Sequence, residues 1–197
     1  MPITPAQPRA SVEAYVEPDP VLLHAMSWAG ELGVGSVSPG AGAVLRLLAS
    51  AAAARTVVEI GTGTGVSGLW LLRGMRADGV LTSIDIEPDL QAMARQAFAA
   101  AGFPTGRARL IPGTARDVLP RLADGGYDLV FVDGEASEYP YCVATAYRLL
   151  RDGGVLVVNN ALEAAAGVAA QVREAPEWQP ALIGAGDGLL CATKRPS

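Results

Sequence analysis

A short apolar run that breaks into alternating glycines constrains this chain more than any other feature. Residues 56–60 are Thr-Val-Val-Glu-Ile, which predicts a buried strand. Gly61, Gly63 and Gly65 follow it, and glycine lets the backbone turn sharply and approach a ligand because it has no Cβ. The helix predicted from Val66 directs unpaired N–H groups and a positive dipole end toward this turn. The stretch therefore predicts a nucleotide-type binding site.

Predicted strands and helices alternate along almost the whole chain, which is typical of a doubly wound, mostly parallel sheet. In such sheets ligands bind at the carboxyl ends of the strands, where Glu59, Asp85 and Asp133 all lie. We expect one α/β, Rossmann-like domain over residues 1–197, with residues 1–11 as a mobile tail. The predicted strands, of which the last two form an antiparallel hairpin, cover residues 56–60, 80–85, 108–111, 127–132, 155–158, 179–183 and 189–193.

Composition excludes several classes of protein. The net charge is −5 and no basic block occurs, so nucleic acid is a poor partner. We expect a cytoplasmic protein, because the chain has neither an apolar run of membrane-spanning length nor a recognisable secretion signal. His24 is the only histidine, which excludes a His-based triad and a multi-His metal site. Cys142 and Cys191 have no metal-ligand spacing and are expected to be buried free thiols.

Two cofactor classes compete for the glycine turn. Residues 63–68 match the dinucleotide pattern G-x-G-x-x-G, but their first glycine lies two residues beyond the expected tight turn. When the pattern starts at Gly61, its third glycine position is Val66. The other class is S-adenosylmethionine, since residues 59–65 resemble motif I of the class I methyltransferases without a gap. An acid one residue before the turn suits the ammonium group of that cofactor, whereas it would repel a pyrophosphate.

Three further segments extend this resemblance to one family. Residues 81–88, 127–133 and 149–160, together with motif I, resemble the class I S-adenosylmethionine-dependent O-methyltransferases of the catechol and caffeoyl-CoA type. The resemblance covers about residues 34–195 in the family's order of elements. It implies transfer of a methyl group from S-adenosylmethionine to a hydroxyl of a small, phenolic acceptor. It also implies a homodimer that uses the N-terminal helices.

Position by position, the resemblance implies a set of cofactor-binding residues. Asp85 would accept hydrogen bonds from both ribose hydroxyls, which one carboxylate is able to do. Ser67 resembles the serine that contacts the methionine carboxylate, and Ala115 lies where the family flanks the adenine. The remaining positions are Val37 over the methionine moiety, Glu59 beside the ammonium group, Gly61 and Thr62 beneath the methionine, Ile86 next to Asp85, and Asp133 nearest the transferred methyl.

The chain departs from the metal-dependent members of this family. Those members have an Asp ligand at the end of strand four, a Lys base three residues later, and an Asp-Asn ligand pair after strand five. Here Asp133 is retained, but Ala136 occupies the Lys position and the pair is Asn159-Asn160. Because Mg²⁺ sites depend on carboxylate charge, we expect Asp133, Asn159 and Asn160 to form a weakened divalent-cation site or none. Asp133 and Glu135 remain as candidate catalytic residues.

Two alternatives remain open. The first is an NAD(P)-dependent oxidoreductase, which the literal G-x-G-x-x-G match would serve. The second is an S-adenosylmethionine-binding protein without catalysis, which would explain why the metal site is altered. A cofactor-binding titration separates the first alternative from a methyltransferase, and turnover on a panel of phenols separates the second. No residue in the sequence identifies the acceptor.

Overall fold

The computed structural model describes residues 8–196, and a seven-stranded sheet lies at its centre. In chain order the strands are β1 (Thr56–Ile60), β2 (Val80–Asp85), β3 (Ala108–Pro112), β4 (Tyr127–Val132), β5 (Leu150–Val158), β6 (Trp178–Ile183) and β7 (Leu189–Lys194). Their spatial order is β3-β2-β1-β4-β5-β7-β6. Strands β1 to β5 pair in parallel, and β7 is antiparallel to both β5 and β6. The predicted parallel sheet with a C-terminal antiparallel hairpin is confirmed.

Helices connect the parallel strands, and two of the helices begin at a proline that follows a capping side chain. They are α1 (Pro8–Glu13), α2 (Pro20–Leu32), α3 (Pro39–Ala51), α4 (Val66–Gly74), α5 (Pro88–Ala100), α6 (Ala115–Val118), α7 (Tyr139–Leu149) and α8 (Ala166–Glu174). The Asp19 carboxylate caps α2 and the Ser38 hydroxyl caps α3, while proline suits the first helical position because that N–H has no partner in the helix. Within the described residues, no helix is both long and apolar enough to cross a membrane.

The two faces of the sheet bury separate apolar clusters. Successive side chains of a strand point to opposite faces, so Val57 joins one cluster and Val58 joins the other. Trp70 and Phe98, from α4 and α5, pack in the cluster that contains Val57. Tyr139, at the start of α7, packs in the cluster that contains Val58. The central strands are therefore apolar on both faces, as parallel strands covered by helices must be.

Strand β1 lies where the chain reverses its winding direction. From β1 the chain builds outward through β2 to β3, and it then returns to place β4 on the other side of β1. Ile60 pairs with Ile84 of β2 and with Val132 of β4, so these three strands end at the same level. Reversal points of this kind open a crevice at the carboxyl ends of the strands. The glycine turn, Asp85 and Asp133 all lie at that edge.

Element boundaries differ from the predictions in the last third of the chain. Strand β5 begins at Leu150 rather than at residue 155, with a register shift against β4 where it passes residues 152–154. Helix α8 begins at Ala166 rather than at residue 161. The backbone N–H groups of Ala161 and Leu162 instead donate to carbonyls of the β6–β7 connection. These pairings join segments distant in sequence, which local patterns do not reveal.

The structure also differs from the predicted mobile tail at residues 8–11, which belong to a helix. Residues 1–7 lie outside the described part of the chain, and helix α1 begins at Pro8. Glu13, at the end of this helix, accepts hydrogen bonds from the backbone N–H groups of Gly40 and Gly186, both at 2.8 Å. Its partners lie 27 and 173 positions away in the sequence. Local proline content therefore gave no indication that this segment is anchored.

Candidate functional site

A cavity of about 750 Å³ lies at the carboxyl ends of β1, β2 and β4. This volume falls within the range of small-molecule and cofactor sites, which is roughly 300–1,000 Å³. All the predicted site residues except Glu59 line it: Val37, Gly61, Thr62, Ser67, Asp85, Ile86, Ala115, Asp133, Glu135, Asn159 and Asn160. The topology thus brings together residues from five connections between strands of the sheet and from the α2–α3 connection that precedes β1.

The glycine turn requires glycine for two distinct reasons. Gly61, Gly63 and Gly65 have φ values of +95°, +50° and +91°, in the left-handed region that other residues rarely adopt. A Cβ on Gly61 would also lie 2.4 Å from the carbonyl oxygen of Asp133. Helix α4 starts directly after the turn, and no side chain caps its N-terminus. Its first N–H groups are therefore available to a ligand.

Asp85 is held in place at the end of β2. Its Oδ2 accepts a hydrogen bond from the Gly63 N–H at 2.8 Å, and its Oδ1 accepts one from the Glu87 N–H at 3.0 Å. The carboxylate therefore ties the glycine turn to β2. Each oxygen keeps a further lone pair, so Asp85 is still able to accept hydrogen bonds from a ligand in the cavity.

Glu59 does not line the cavity, so its side chain does not point to where the expected ammonium group would lie. Side chains alternate along a strand, and Glu59 points beneath α4 instead of beyond the strand end. Its Oε1 accepts from the Ser67 hydroxyl at 2.6 Å and its Oε2 from the Ser83 hydroxyl at 2.5 Å. Complete burial raises the pKa of Glu59 to about 7, although both hydrogen bonds act to lower it. Glu59 fixes Ser67, which does line the cavity.

A buried polar network that sequence reasoning missed supports the glycine turn from below. The hydroxyls of Thr62 and Ser83 are 2.7 Å apart, and Gln91 Nε2 donates to Thr62 Oγ1 at 3.2 Å. Gln91 Nε2 also donates to the Ile111 carbonyl at 3.1 Å. The network connects the glycine turn to β2, β3 and α5. Its sequence signal is the polar pair Thr82-Ser83 inside strand β2, between Leu81 and Ile84, which both pack in the core.

Asp133 occupies the end of β4, across the cavity from Asp85. Its backbone N–H donates to the Ile60 carbonyl at 2.8 Å, and its Oδ1 accepts from Asn159 Nδ2 at 2.8 Å. Burial raises the pKa of Asp133 to about 7, and the hydrogen bond from Asn159 only partly opposes this. Near neutral pH the carboxyl group therefore exists in both protonation states. Such a group is suited to taking up and releasing a proton.

The side chains around Asp133 do not suit a divalent cation. Asn159 directs its Nδ2 donor, not its oxygen, toward Asp133, whereas Mg²⁺ and Ca²⁺ bind oxygen ligands. Asn160 has a left-handed backbone, with φ +55°, and its Nδ2 lies 3.5 Å from the Tyr139 hydroxyl. In residues 8–196, no three His, Cys, Asp or Glu side chains are grouped so that they could hold a metal ion. The donor set consists of one carboxylate and two amides.

The side chains that line the cavity give it a negative charge. None of its described lining residues is Arg, Lys or His, and six are acids: Asp85, Glu87, Asp133, Glu135, Glu138 and Asp187. Two of the six have an ion-pair partner, Glu138 with Arg116 at 3.7 Å and Asp187 with Arg9 at 2.7 Å. Charge of one sign concentrated in a cleft attracts ligands of the opposite sign. The cavity is therefore suited to a ligand that carries positive charge.

Comparisons with known proteins agree with this geometry. The sequence profile of the family described as O-methyltransferase matches residues 23–183. A Mycolicibacterium vanbaalenii protein named as a candidate O-methyltransferase is 49% identical over 197 residues, which cover 92% of this chain and 87% of the relative.

Two solved structures share the fold over nearly their full length. A Corynebacterium glutamicum protein superposes with a TM-score of 0.87 at 29% identity, covering 96% of both chains. The O-methyltransferase TomG from Streptomyces achromogenes, crystallised with S-adenosylmethionine, has a TM-score of 0.83 at 27% identity and covers 98% of this chain and 100% of its own. Together with the sequence matches, these structures identify the chain as a member of the O-methyltransferase family, an S-adenosylmethionine-dependent methyltransferase.

Proposed function

We propose that this enzyme methylates a hydroxyl of a small, phenolic acceptor and does so without a tightly held divalent cation. One observation carries the proposal: the partly buried carboxylate of Asp133 shares the cavity with the glycine turn and Asp85 and is held by the side-chain amide of Asn159. The family supplies the reaction type. The proposal leaves out a divalent cation because the groups available to bind one are a single carboxylate, Asp133, and two side-chain amides, Asn159 and Asn160.

The cofactor would lie along the ends of β1 and β2. In this placement Asp85 accepts the ribose hydroxyls, while Ile86 and Ala115 flank the adenine. Val37, Gly61 and Thr62 enclose the methionine moiety, and Ser67, held by Glu59, contacts its carboxylate. Bound S-adenosylmethionine supplies an electrophilic methyl group on a positively charged sulfur. The six lining acids favour that positive charge.

Asp133 would act as the general base, with Glu135 as a second candidate. Methyl transfer from the bound cofactor to the acceptor oxygen would release the hydroxyl proton, and Asp133 would take up that proton. A base with a pKa of about 7 suits this step, because it is partly ionised at neutral pH and still holds a proton once it has received one. Asn159 orients the carboxylate by binding Oδ1. Positioning of the two reactants supplies the remainder of the rate enhancement.

The direct test is turnover on a panel of phenols with S-adenosylmethionine, followed by mass spectrometry. We expect a mono-methylated product, formed equally well in EDTA. Cofactor binding without turnover on any phenol would favour the non-catalytic alternative, and binding of NADH in place of S-adenosylmethionine would favour an oxidoreductase. If EDTA abolished activity and Mg²⁺ restored it, the metal-free part of the proposal would be wrong.

Asn159→Asp is the matched variant for the metal. It restores the second carboxylate at the end of β5 and removes the amide donor that now faces Asp133. Two adjacent carboxylates favour a hard cation, so Mg²⁺ binding measured by calorimetry should appear or strengthen in the variant. The wild-type protein titrated in parallel is the control. Equal Mg²⁺ binding by both proteins would contradict the role assigned to Asn159.

We further propose a cytoplasmic homodimer. Support for the dimer comes from apolar side chains on α2 and α3, since Leu23, Leu32 and Leu47 are 54%, 52% and 64% exposed. Support for the cytoplasm comes from Cys142 and Cys191, which are both free, buried thiols. Light scattering tests the assembly, and a monomer at working concentration would contradict it.

A further inference from the structure

A carboxylate outside the cavity ties together two segments that border it. Glu13 Oε2 accepts from the Gly40 N–H at the start of α3, and Glu13 Oε1 accepts from the Gly186 N–H in the β6–β7 connection, both at 2.8 Å. The Ser38 hydroxyl is a third hydrogen-bond partner. Ser38 and Gly186 both line the cavity. One side chain of α1 thus joins two parts of the cavity wall that are far apart in sequence.

These contacts specifically require a carboxylate. Each of its oxygens accepts a backbone N–H, whereas an amide offers only one acceptor atom. Partial burial acts to raise the pKa of Glu13, but hydrogen bonds from Ser38, Gly186 and Gly40 outweigh it, and the pKa lies below its usual value. Glu13 is therefore an anion at neutral pH. It lies at the positive N-terminal end of α3, where negative charge is stabilising.

The surroundings of Glu13 leave little room for any other arrangement. A Cβ on Gly40 would lie 2.8 Å from Glu13 Oε1, and a Cβ on Gly186 would lie 2.9 Å from Ser38 Oγ. Helix α1 has only six residues, too few to be stable by itself, so its position depends on tertiary contacts. Besides Glu13, these include the exposed ion pair between Arg9 and Asp187 at 2.7 Å.

We infer that Glu13 is a positioning residue for the cofactor, which holds residues 34–38 and the β6–β7 connection in the arrangement that encloses the methionine moiety. The inference rests on the proposed location of that moiety beneath Val37. It adds a residue that lies before the segment resembling the family, which begins near residue 34. If loss of Glu13 left the binding arrangement populated a tenth of the time, the apparent dissociation constant would rise about tenfold.

Calorimetry with S-adenosylhomocysteine tests this directly on the full chain. Glu13→Ala should raise the dissociation constant about tenfold or more, and Glu13→Gln should raise it less because one acceptor atom remains. Arg9→Ala is the matched control, since it removes another contact between α1 and the β6–β7 connection but leaves the backbone hydrogen bonds of Glu13 intact. Arg9→Ala should raise the dissociation constant less than about fivefold, because exposed ion pairs contribute little free energy. In steady-state assays, Glu13→Ala should raise the KM for S-adenosylmethionine and leave kcat within about twofold.

An unchanged dissociation constant in folded Glu13→Ala would overturn the inference. Failure of the wild-type protein to bind S-adenosylhomocysteine would instead overturn the proposed cofactor site, so the two failures are distinguishable. If Glu13→Ala does not fold, hydrogen exchange decides the question with Glu13→Gln. The amides of Gly40 and Gly186 should then exchange faster in the variant than in the wild type. Equal exchange rates at both amides would overturn the inference.

Discussion

The proposed cofactor side and the proposed acceptor side of the cavity hold their polar groups in different ways. On the cofactor side, at the ends of β1 and β2, each carboxylate oxygen of Asp85 accepts a backbone N–H, and Thr62 belongs to a buried network with Ser83. On the acceptor side, after β4 and β5, Asp133 has a single side-chain partner, Asn159, and Glu135 is exposed. The first side is fixed in advance of binding, whereas the second leaves its main carboxylate free to exchange a proton.

Because of this difference, we expect substitutions on the two sides to affect different quantities, cofactor affinity on one side and turnover on the other. A rigid site lowers the cost of ordering a bound ligand, so changes on the cofactor side should act mainly on cofactor affinity. A buried and sparsely bonded acid has a raised pKa and costs stability when it ionises, so changes on the acceptor side should act on turnover and on pH dependence. Each of the variants below tests one side of the cavity for the property assigned to it.

Gly61→Val should have the largest effect, because it should abolish measurable S-adenosylmethionine binding. The new Cβ would lie 2.4 Å from the Asp133 carbonyl, and a β-branched residue would be forced to φ +95°. Gly102→Val is the matched control, since Gly102 has φ +81° but no atom within 4 Å of the added Cβ. The control should lose stability and retain affinity by calorimetry. Cofactor binding by folded Gly61→Val would show that the turn is not part of the site.

Asp133→Asn should lower kcat by about a hundredfold or more, because general-base catalysis contributes on the order of 10²–10⁴. In the wild type, kcat/KM should fall as the pH drops below about 7, where Asp133 becomes protonated. The affinity for S-adenosylhomocysteine, measured by calorimetry, should change much less than kcat. Undiminished turnover in Asp133→Asn would transfer the role of base to Glu135 or to another group.

The same variant should be more stable than the wild type at high pH. The pKa of Asp133 rises from an ordinary value of 3.8 to about 7 on folding, so between these values the folded state binds more protons than the unfolded state. Wild-type stability therefore falls as the pH rises through this window, and the asparagine variant avoids that loss. The gain in Tm should be at least about 3 °C larger at pH 8 than at pH 5. An equal Tm difference at both pH values would contradict the raised pKa.

Asp85→Ala should weaken S-adenosylmethionine binding at least about tenfold in a folded protein, because hydrogen bonds to a charged group are lost. Glu87→Ala is the control, since Glu87 also lines the cavity, but its side chain is exposed. Its effect on the dissociation constant should be several times smaller. Equal effects of the two variants would mean that Asp85 contributes only negative charge to the cavity.

The sequence predicts that the glycine turn and Asp85 meet at one edge of the sheet, because the signals for this are local. The glycine turn and Asp85 directly follow apolar strands, and the parallel sheet must bring such strand ends to one edge. The direction of Glu59 is also local, since strand alternation places it beneath α4, but the motif suggested a ligand contact. Glu13 was not predictable in this way, because its partners are 27 and 173 positions away. Gln91 was missed for the same reason, since nothing in its helix indicates burial against Thr62.

The smallest effect we expect concerns the charge of the acceptor. The described lining residues include six acids and no basic side chain, and Glu135 is an exposed acid on the acceptor side. A phenol that carries a carboxylate should therefore be methylated more slowly than a neutral phenol of the same size. Glu135→Gln should reduce the ratio of the two kcat/KM values by about two- to fivefold, as expected for one exposed charge at close range. Added salt should reduce the same ratio in the wild type, because it screens the charge.

Glu177→Gln controls for the change in net charge, because Glu177 is exposed and does not line the cavity. The measurement is the ratio of kcat/KM values for the paired acceptors at low and high ionic strength. If Glu135→Gln and Glu177→Gln shifted that ratio equally, discrimination would come from the charge of the whole protein. A shift confined to Glu135→Gln would place a specificity determinant on the loop after β4, on the side of the cavity where the sequence resemblance identifies no acceptor-binding residue.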